Sequence, residues 1–276
     1  MDTIIGLGNA GCNIADMFAQ YPQYLCYKFN RGLKRSKTTF PLKDHENFED
    51  YETKMPNMRT FLKEVKGEVL FVLGGASKVS SCALKILETI KTKSISVLYI
   101  QPDISLLNHD QEKLERLVYA VLQEYSRSGL IKEIILVSNS EVENILGELT
   151  LKNYYHKINE LIVSTFHMMN IYQHNDSFFN TFQKKPTGVR ISTFGMCDPK
   201  TNEEKMFFPL DNVSDVVYYY AYNKEEIETN PNLLNKIKKN INKKKEEVKR
   251  VTYGIYETDY EDSYLYCAHS TSFIQA

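Results

Sequence analysis

Short apolar runs rich in β-branched and aromatic residues recur through the first half of the chain, at Thr3–Ile5, Tyr24–Lys28, Glu68–Leu73, Ile95–Gln101 and Glu133–Ser138, with helical patterns between most of them. Such alternation predicts a parallel sheet covered on both faces, because a strand apolar on both sides must be buried on both. From Asn153 to about Gln173 the apolar spacing changes to three and four. Ile158, Leu161, Ile162, Thr165, Phe166 and Met169 share one stripe, which predicts a long core helix. Beyond it the pattern predicts strands at about Gly188–Thr193, Val213–Tyr222, Val251–Glu257 and Ser263–His269, and a helix at about Asn232–Arg250. Pro186, Gly188, Pro199 and the polar stretch Asp198–Lys205 read as loops. The expectation is an α/β chain: a parallel-sheet domain over 1–152, a central helix over 153–174 and a smaller α+β domain over 175–276.

In an open parallel sheet, ligands bind at the carboxyl ends of the strands. The first such loop carries Gly6, Gly8 and Gly11, a G-x-G-x-x-G between a strand and a helix that the pattern opens at about Cys12. Glycines there let backbone approach a phosphate, and the helix start aims unpaired N–H groups at the same point. Taken alone the motif is weak; its value depends on the segments downstream of it. Cys12 at a helix start invites the reading of an activated thiol, but a small buried packing residue is the stronger one.

Composition narrows the function classes. A chain of 276 residues with 42% hydrophobic residues and a formal net charge of −1 suits one large domain or two coupled ones, and argues against a general nucleic-acid or membrane-surface binder. Five cysteines, far apart and never in a C-x-x-C pair, indicate neither a zinc site nor a disulfide framework. No basic segment precedes an apolar run, and none approaches the roughly 18 apolar residues of a membrane helix, so a cytoplasmic protein without a membrane partner or metal site is expected.

A second glycine signal, Gly74-Gly75-Ala76-Ser77-Lys78-Val79-Ser80, comes after a later strand. With Gly8-Asn9-Ala10-Gly11 before it, the chain resembles the tubulin and FtsZ superfamily. The first segment is similar to that family's first nucleotide loop, and the second falls where its GGGTG(T/S)G signature should be. Only Gly74 and Gly75 keep glycine; Ser77 stands for the threonine, and Lys78 onward departs from the signature. Ile134–Asn139 resembles the strand ending in a purine-contacting asparagine. Leu149–Glu160 lines up without gaps on the start of the FtsZ core helix, with Asn159 on the guanine-recognising asparagine. Asn30 falls on the asparagine of the family's second loop. An amide side chain offers both donor and acceptor to a base edge.

The resemblance implies GTP or GDP, with Mg2+, as ligand. It implies Gly8, Asn9, Ala10, Gly11, Asn30, Gly74, Gly75, Ala76, Ser77, Lys78, Asn139 and Asn159 as nucleotide-binding residues, and a head-to-tail filament of this chain or contact with another FtsZ- or tubulin-like protein. Lys78 remains open between phosphate partner, excluder and solvated surface residue. The family's catalytic N-x-D-x-x-D pattern is represented by Gln173–Asn180, where Asp176 takes the first acidic position and Phe179 the second. One carboxylate that would polarise the attacking water is missing, which implies slow or absent hydrolysis. Two readings result: a guanine-nucleotide-binding filament protein, and a nucleotide-free pseudo-GTPase acting as an interaction module. An NAD-type oxidoreductase lacks the acidic residue at the end of the second strand, where Tyr27–Asn30 offers none.

The helix near the end of the chain carries six lysines between Lys236 and Lys245, opposite Leu234, Ile237, Ile241 and Val248. A solvated face accounts for them better than an acidic or nucleic-acid partner does. The tyrosine-rich strand Val217–Tyr222 reads as sheet packing rather than base stacking.

Overall fold

Six parallel strands organise the first of two units in the computed structural model, which describes all 276 residues. This unit covers Met1–Val163 and the second Ser164–Ala276. The division falls inside the long helix, where the sequence put boundaries at its two ends. In the first unit the strands are β1 (Thr3–Leu7), β2 (Leu25–Arg31), β3 (Thr39–Leu42), β4 (Glu68–Gly74), β5 (Ser94–Gln101) and β6 (Glu133–Ser138). Their order is β3-β2-β1-β4-β5-β6, every neighbour parallel. Chain order reverses between β1 and β4, which leaves a crevice at their carboxyl ends.

Helices α1 (Gly8–Phe18), α2 (Phe48–Thr53), α3 (Ala83–Thr89) and α4 (His109–Ser128) connect these strands, and α5 (Asn139–Leu146) and α6 (Tyr154–His174) follow β6. α1 begins at Gly8 rather than near Cys12, because Gly8 adopts φ +72° and turns the chain from strand to helix without intervening loop residues. Gly11 then lies against β4: a Cβ there would sit 2.2 Å from the Val72 carbonyl oxygen. β3 and α2, with four and six residues, are too short to give a periodic signal. β3 is an edge strand and so tolerates Pro41.

In the second unit, β7 (Phe179–Asn180), β8 (Ile191–Cys197), β9 (Glu204–Met206), β10 (Asp215–Asn223), β11 (Arg250–Thr258) and β12 (Tyr264–Thr271) form the order β8-β12-β10-β11-β7, with β9 on β8. Helices α7 (Lys224–Thr229) and α8 (Leu233–Glu247) connect β10 to its parallel neighbour β11. α8 buries Leu233, Ile237 and Ile241 in a cluster with Val216, Tyr218, Tyr220 and Val251. Leu234, expected on that face, is 46% exposed, and Val248 lies just past the helix end. Tyr218, Tyr219, Tyr220 and Tyr222 are all buried, in keeping with sheet packing.

The structure corrects two further expectations. The strand expected at Gly188–Thr193 runs from Ile191 to Cys197, Gly188 itself being in a turn at φ +98°. The polar stretch read as a loop ends in β9, anchored by Glu204. Lys244 Nζ approaches this carboxylate at 2.9 Å and His269 Nε2 at 3.2 Å, and the Tyr218 hydroxyl donates to it. Lys244 thereby turns inward from the lysine-rich face. Burial alone would raise the Glu204 pKa, but His269, Tyr218 and Lys244 outweigh it and hold it at about 2. No helix is long and apolar enough to cross a membrane.

Candidate functional site

Two chambers that share lining residues lie at the carboxyl ends of β1 and β4, both within the first unit. The inner one, of about 450 Å³, is lined by Leu7, Gly8, Asn9, Ala10, Asn13, Gly74, Ala76, Ser77, Ile100, Pro102, Gln111, Asn139, Tyr155 and Asn159. The outer one, of about 960 Å³, shares Asn9, Ala76, Ser77 and Gln111 with it and adds charged walls that include Arg31 and Lys78.

The start of α1 has no side-chain cap and no acidic residue in its first turn, so its N–H groups and positive dipole end are left for a ligand. Asn30 Nδ2 donates to Asn9 Oδ1 at 2.7 Å, and Asn30 Oδ1 accepts the Arg31 N–H at 2.9 Å. Asn30 therefore orients a chamber residue rather than lining the chamber itself. Gly11 serves the packing of α1 on β4. Cys12 is buried, and burial pushes its thiol up to about 12, which suits a packing residue and not a nucleophile.

The second glycine loop is occupied with itself. Gly75 N–H donates to the Tyr99 hydroxyl, which donates in turn to the buried Glu115 Oε1 at 3.0 Å. A Cβ on Gly75 would meet that hydroxyl oxygen at 2.0 Å, so this glycine is required by packing beneath the loop. Burial raises the Glu115 pKa, with the Tyr99 hydrogen bond opposing. Ser77 Oγ accepts the Val79 N–H at 3.4 Å, the Ser77 carbonyl accepts the Ser80 N–H at 2.8 Å, and Ser80 Oγ donates to the Gly74 carbonyl at 2.5 Å. A 3₁₀ turn over Lys78–Cys82 results. Lys78 Nζ donates to the Glu46 carbonyl oxygen at 2.6 Å and so ties the loop before α2 to the glycine loop.

The two asparagines meet in the inner chamber. Asn139 opens α5 directly after β6 and is 9% exposed, and its buried Oδ1 has no hydrogen-bond partner. A buried acceptor left unpaired is costly and marks a place where a donor fits. Asn159, on α6, is 6% exposed. The Tyr154 hydroxyl donates to Glu143 Oε2 at 2.6 Å and pins the start of α6 to α5. Tyr155 precedes Asn159 by one helical turn and so shares its face, adding an aromatic wall beside two amide side chains.

Asp176 lies in the second unit, exposed on the turn between α6 and β7. Phe179 sits in β7 opposite Ile255. Sequence reading missed Asn13, Gln111 and Tyr155. The signals were present: Asn13 and Tyr155 stand one turn from Asn9 and Asn159, and Asn108 with Gln111 forms the capping box that starts α4.

No family model matches the chain, and no curated protein matches it in sequence. Solved structures do. TubZ of Bacillus thuringiensis serovar israelensis, in a GTPγS-form protofilament, is similar with a TM-score of 0.73 at 16% identity, covering 96% of this chain and 84% of that one. CetZ from Methanosaeta thermophila gives 0.75 at 13% identity, covering 98% and 86%. An empty FtsZ dimer from M. jannaschii gives 0.68 at 9% identity, covering 98% and 87%. The chain has the tubulin/FtsZ fold.

Proposed function

We infer that this chain is a divergent tubulin/FtsZ-like cytoskeletal protein that binds guanine nucleotide in the inner chamber and associates head to tail with copies of itself, with slow or absent hydrolysis. One observation carries the reading: the uncapped start of α1 shares a chamber with Asn139 and Asn159, and Asn139 holds an unpartnered buried acceptor. The nucleotide phosphates lie at Gly8–Ala10, with Gly74, Ala76 and Ser77 opposite. The base lies along Tyr155, with the two amides on its edge. Guanine brings N–H donors beside an acceptor, which suits amides that supply both. Head-to-tail association is supported by the fold and by the TubZ relative, which was solved as a protofilament. Asp176, exposed on its turn, is the residue offered to a neighbouring copy, and Phe179 in place of a second carboxylate slows hydrolysis.

A second reading, the nucleotide-free interaction module, is favoured by the glycine loop, whose Gly75, Val79 and Ser80 N–H groups are already taken. Titration of the stripped protein with GTP decides between them. Binding that Asn159→Ala weakens by about tenfold or more supports the guanine site. Equal affinity in the variant contradicts the assignment of Asn159, and a wild-type protein indifferent to millimolar GTP leaves the interaction module.

A further inference from the structure

A separate cavity of about 290 Å³ in the first unit is walled by β3, α2 and the segments beside them, and shares no lining residue with the two chambers of the crevice. Part of its lining is apolar and deeply buried: Phe40, Leu42, Tyr51 and Cys82 are each less than a tenth exposed. The charge in it has one sign. Arg35, Lys43 and Lys54 line it, with His45 beside them, and no acidic residue does, in a chain whose formal net charge is −1.

The carboxylates nearest in sequence are used elsewhere. Asp44 accepts from the Tyr51 hydroxyl at 2.7 Å and pairs with Arg31 at 2.9 Å, and Asp50 pairs with Lys54 at 3.0 Å. Arg35 and Lys43 are left with no ion pair. Arg35 is nonetheless held in place, its guanidinium 4.4 Å from the centroid of the Phe40 ring and 5.7 Å from that of Phe61, which is cation–π geometry. The His45 ring stands edge-on to Tyr51 with centroids 5.1 Å apart, and its backbone N–H donates to the Tyr51 hydroxyl at 3.2 Å. The Cys82 thiol donates in turn to the Tyr51 carbonyl oxygen at 3.2 Å. An unmatched cation and an aromatic wall are therefore fixed at one cavity before any ligand arrives, as in a preformed site.

We propose that this cavity binds a small organic anion, an apolar or aromatic body carrying a carboxylate or phosphate, and that Arg35 is the side chain that pairs with the charged group. The body displaces water from Phe40, Leu42 and Tyr51, and the charged group meets a guanidinium that gives up no existing ion pair to receive it. A bare anion gains only the second contact, and a neutral ring only the first. The inference is independent of the guanine-nucleotide reading, because none of these residues lines the crevice.

The test is calorimetric titration of the full chain with naphthoate and naphthyl phosphate, with acetate as the bare anion and naphthylmethanol as the uncharged ring, in the wild type, Arg35→Met and Arg35→Lys. The expected result is saturable binding of at least one naphthyl anion, with acetate and naphthylmethanol weaker by about tenfold or more. Arg35→Met should weaken the anion by about tenfold and leave naphthylmethanol and the thermal unfolding temperature unchanged, while Arg35→Lys keeps most of the binding. The tighter of the two anions then identifies carboxylate or phosphate as the group preferred. A wild type that takes up neither anion overturns the proposal. So does binding that is equal in the wild type and Arg35→Met, since it places the anion at another site such as the nucleotide crevice.

Discussion

Gly75 and Gly74 are neighbours with different work, and a methyl group separates them. At Gly74 an added Cβ meets the Ile100 carbonyl oxygen at 3.1 Å, whereas at Gly75 it meets the Tyr99 hydroxyl at 2.0 Å. Gly75→Ala is expected to destabilise the first unit by about 1–3 kcal/mol through overpacking. Tyr99→Phe in the same chain should recover part of that loss by removing the nearest atom. Urea denaturation of the two single variants and the double variant measures this; strictly additive losses would contradict it. The sequence shows two glycines after a strand but not what lies beneath them, since Tyr99 is reached only through the pairing of β4 with β5, which sets Leu73 beside it. The resemblance singled out Asn139 just after a strand, and Asn159 inside a helix, that the apolar pattern had already located. Cys12 was legible as a packing residue from its place on a helix turned toward the sheet.

Elements held by apolar periodicity were readable, and those held by polar contacts were not. β9 is only Glu-Lys-Met, and what fixes it is the Glu204 carboxylate against Lys244, His269 and Tyr218. α8 was readable as a helix, yet Leu233 and Leu234 both satisfy its stripe, and only the packed cluster selects Leu233. Glu204 has a folded-state pKa of about 2 against an ordinary 4.5, so the stabilisation it gives is complete above about pH 5 and lost as the pH falls towards 2. The depression corresponds to at most about 3 kcal/mol. Unfolding free energies taken between pH 6 and pH 3 should therefore fall more steeply for the wild type than for Glu204→Gln, which has no charge to lose. Parallel profiles would show that the carboxylate is not stabilised by its neighbours. The variant should also be less stable at pH 6, because it strips Lys244 of its closer carboxylate, leaving Glu247 at 3.2 Å.

At the scale of the molecule, the order of elements carried the recognition and residue identity carried little. Solved relatives match over nearly the whole chain at 9–16% identity. A parallel sheet with a reversal in strand order constrains where loops fall, while only a few glycines and asparagines are constrained in kind. The division inside α6 escaped the sequence because one unbroken helix runs through it and no composition change marks the middle. The account's central claim is that the first unit holds a guanine nucleotide, and the most direct measurement is the nucleotide content of protein purified without added ligand, read by denaturation and ion-exchange chromatography. The account predicts GTP or GDP at close to one per chain, lost in Asn159→Ala; a folded protein that emerges empty and stays empty after exposure to GTP would contradict it.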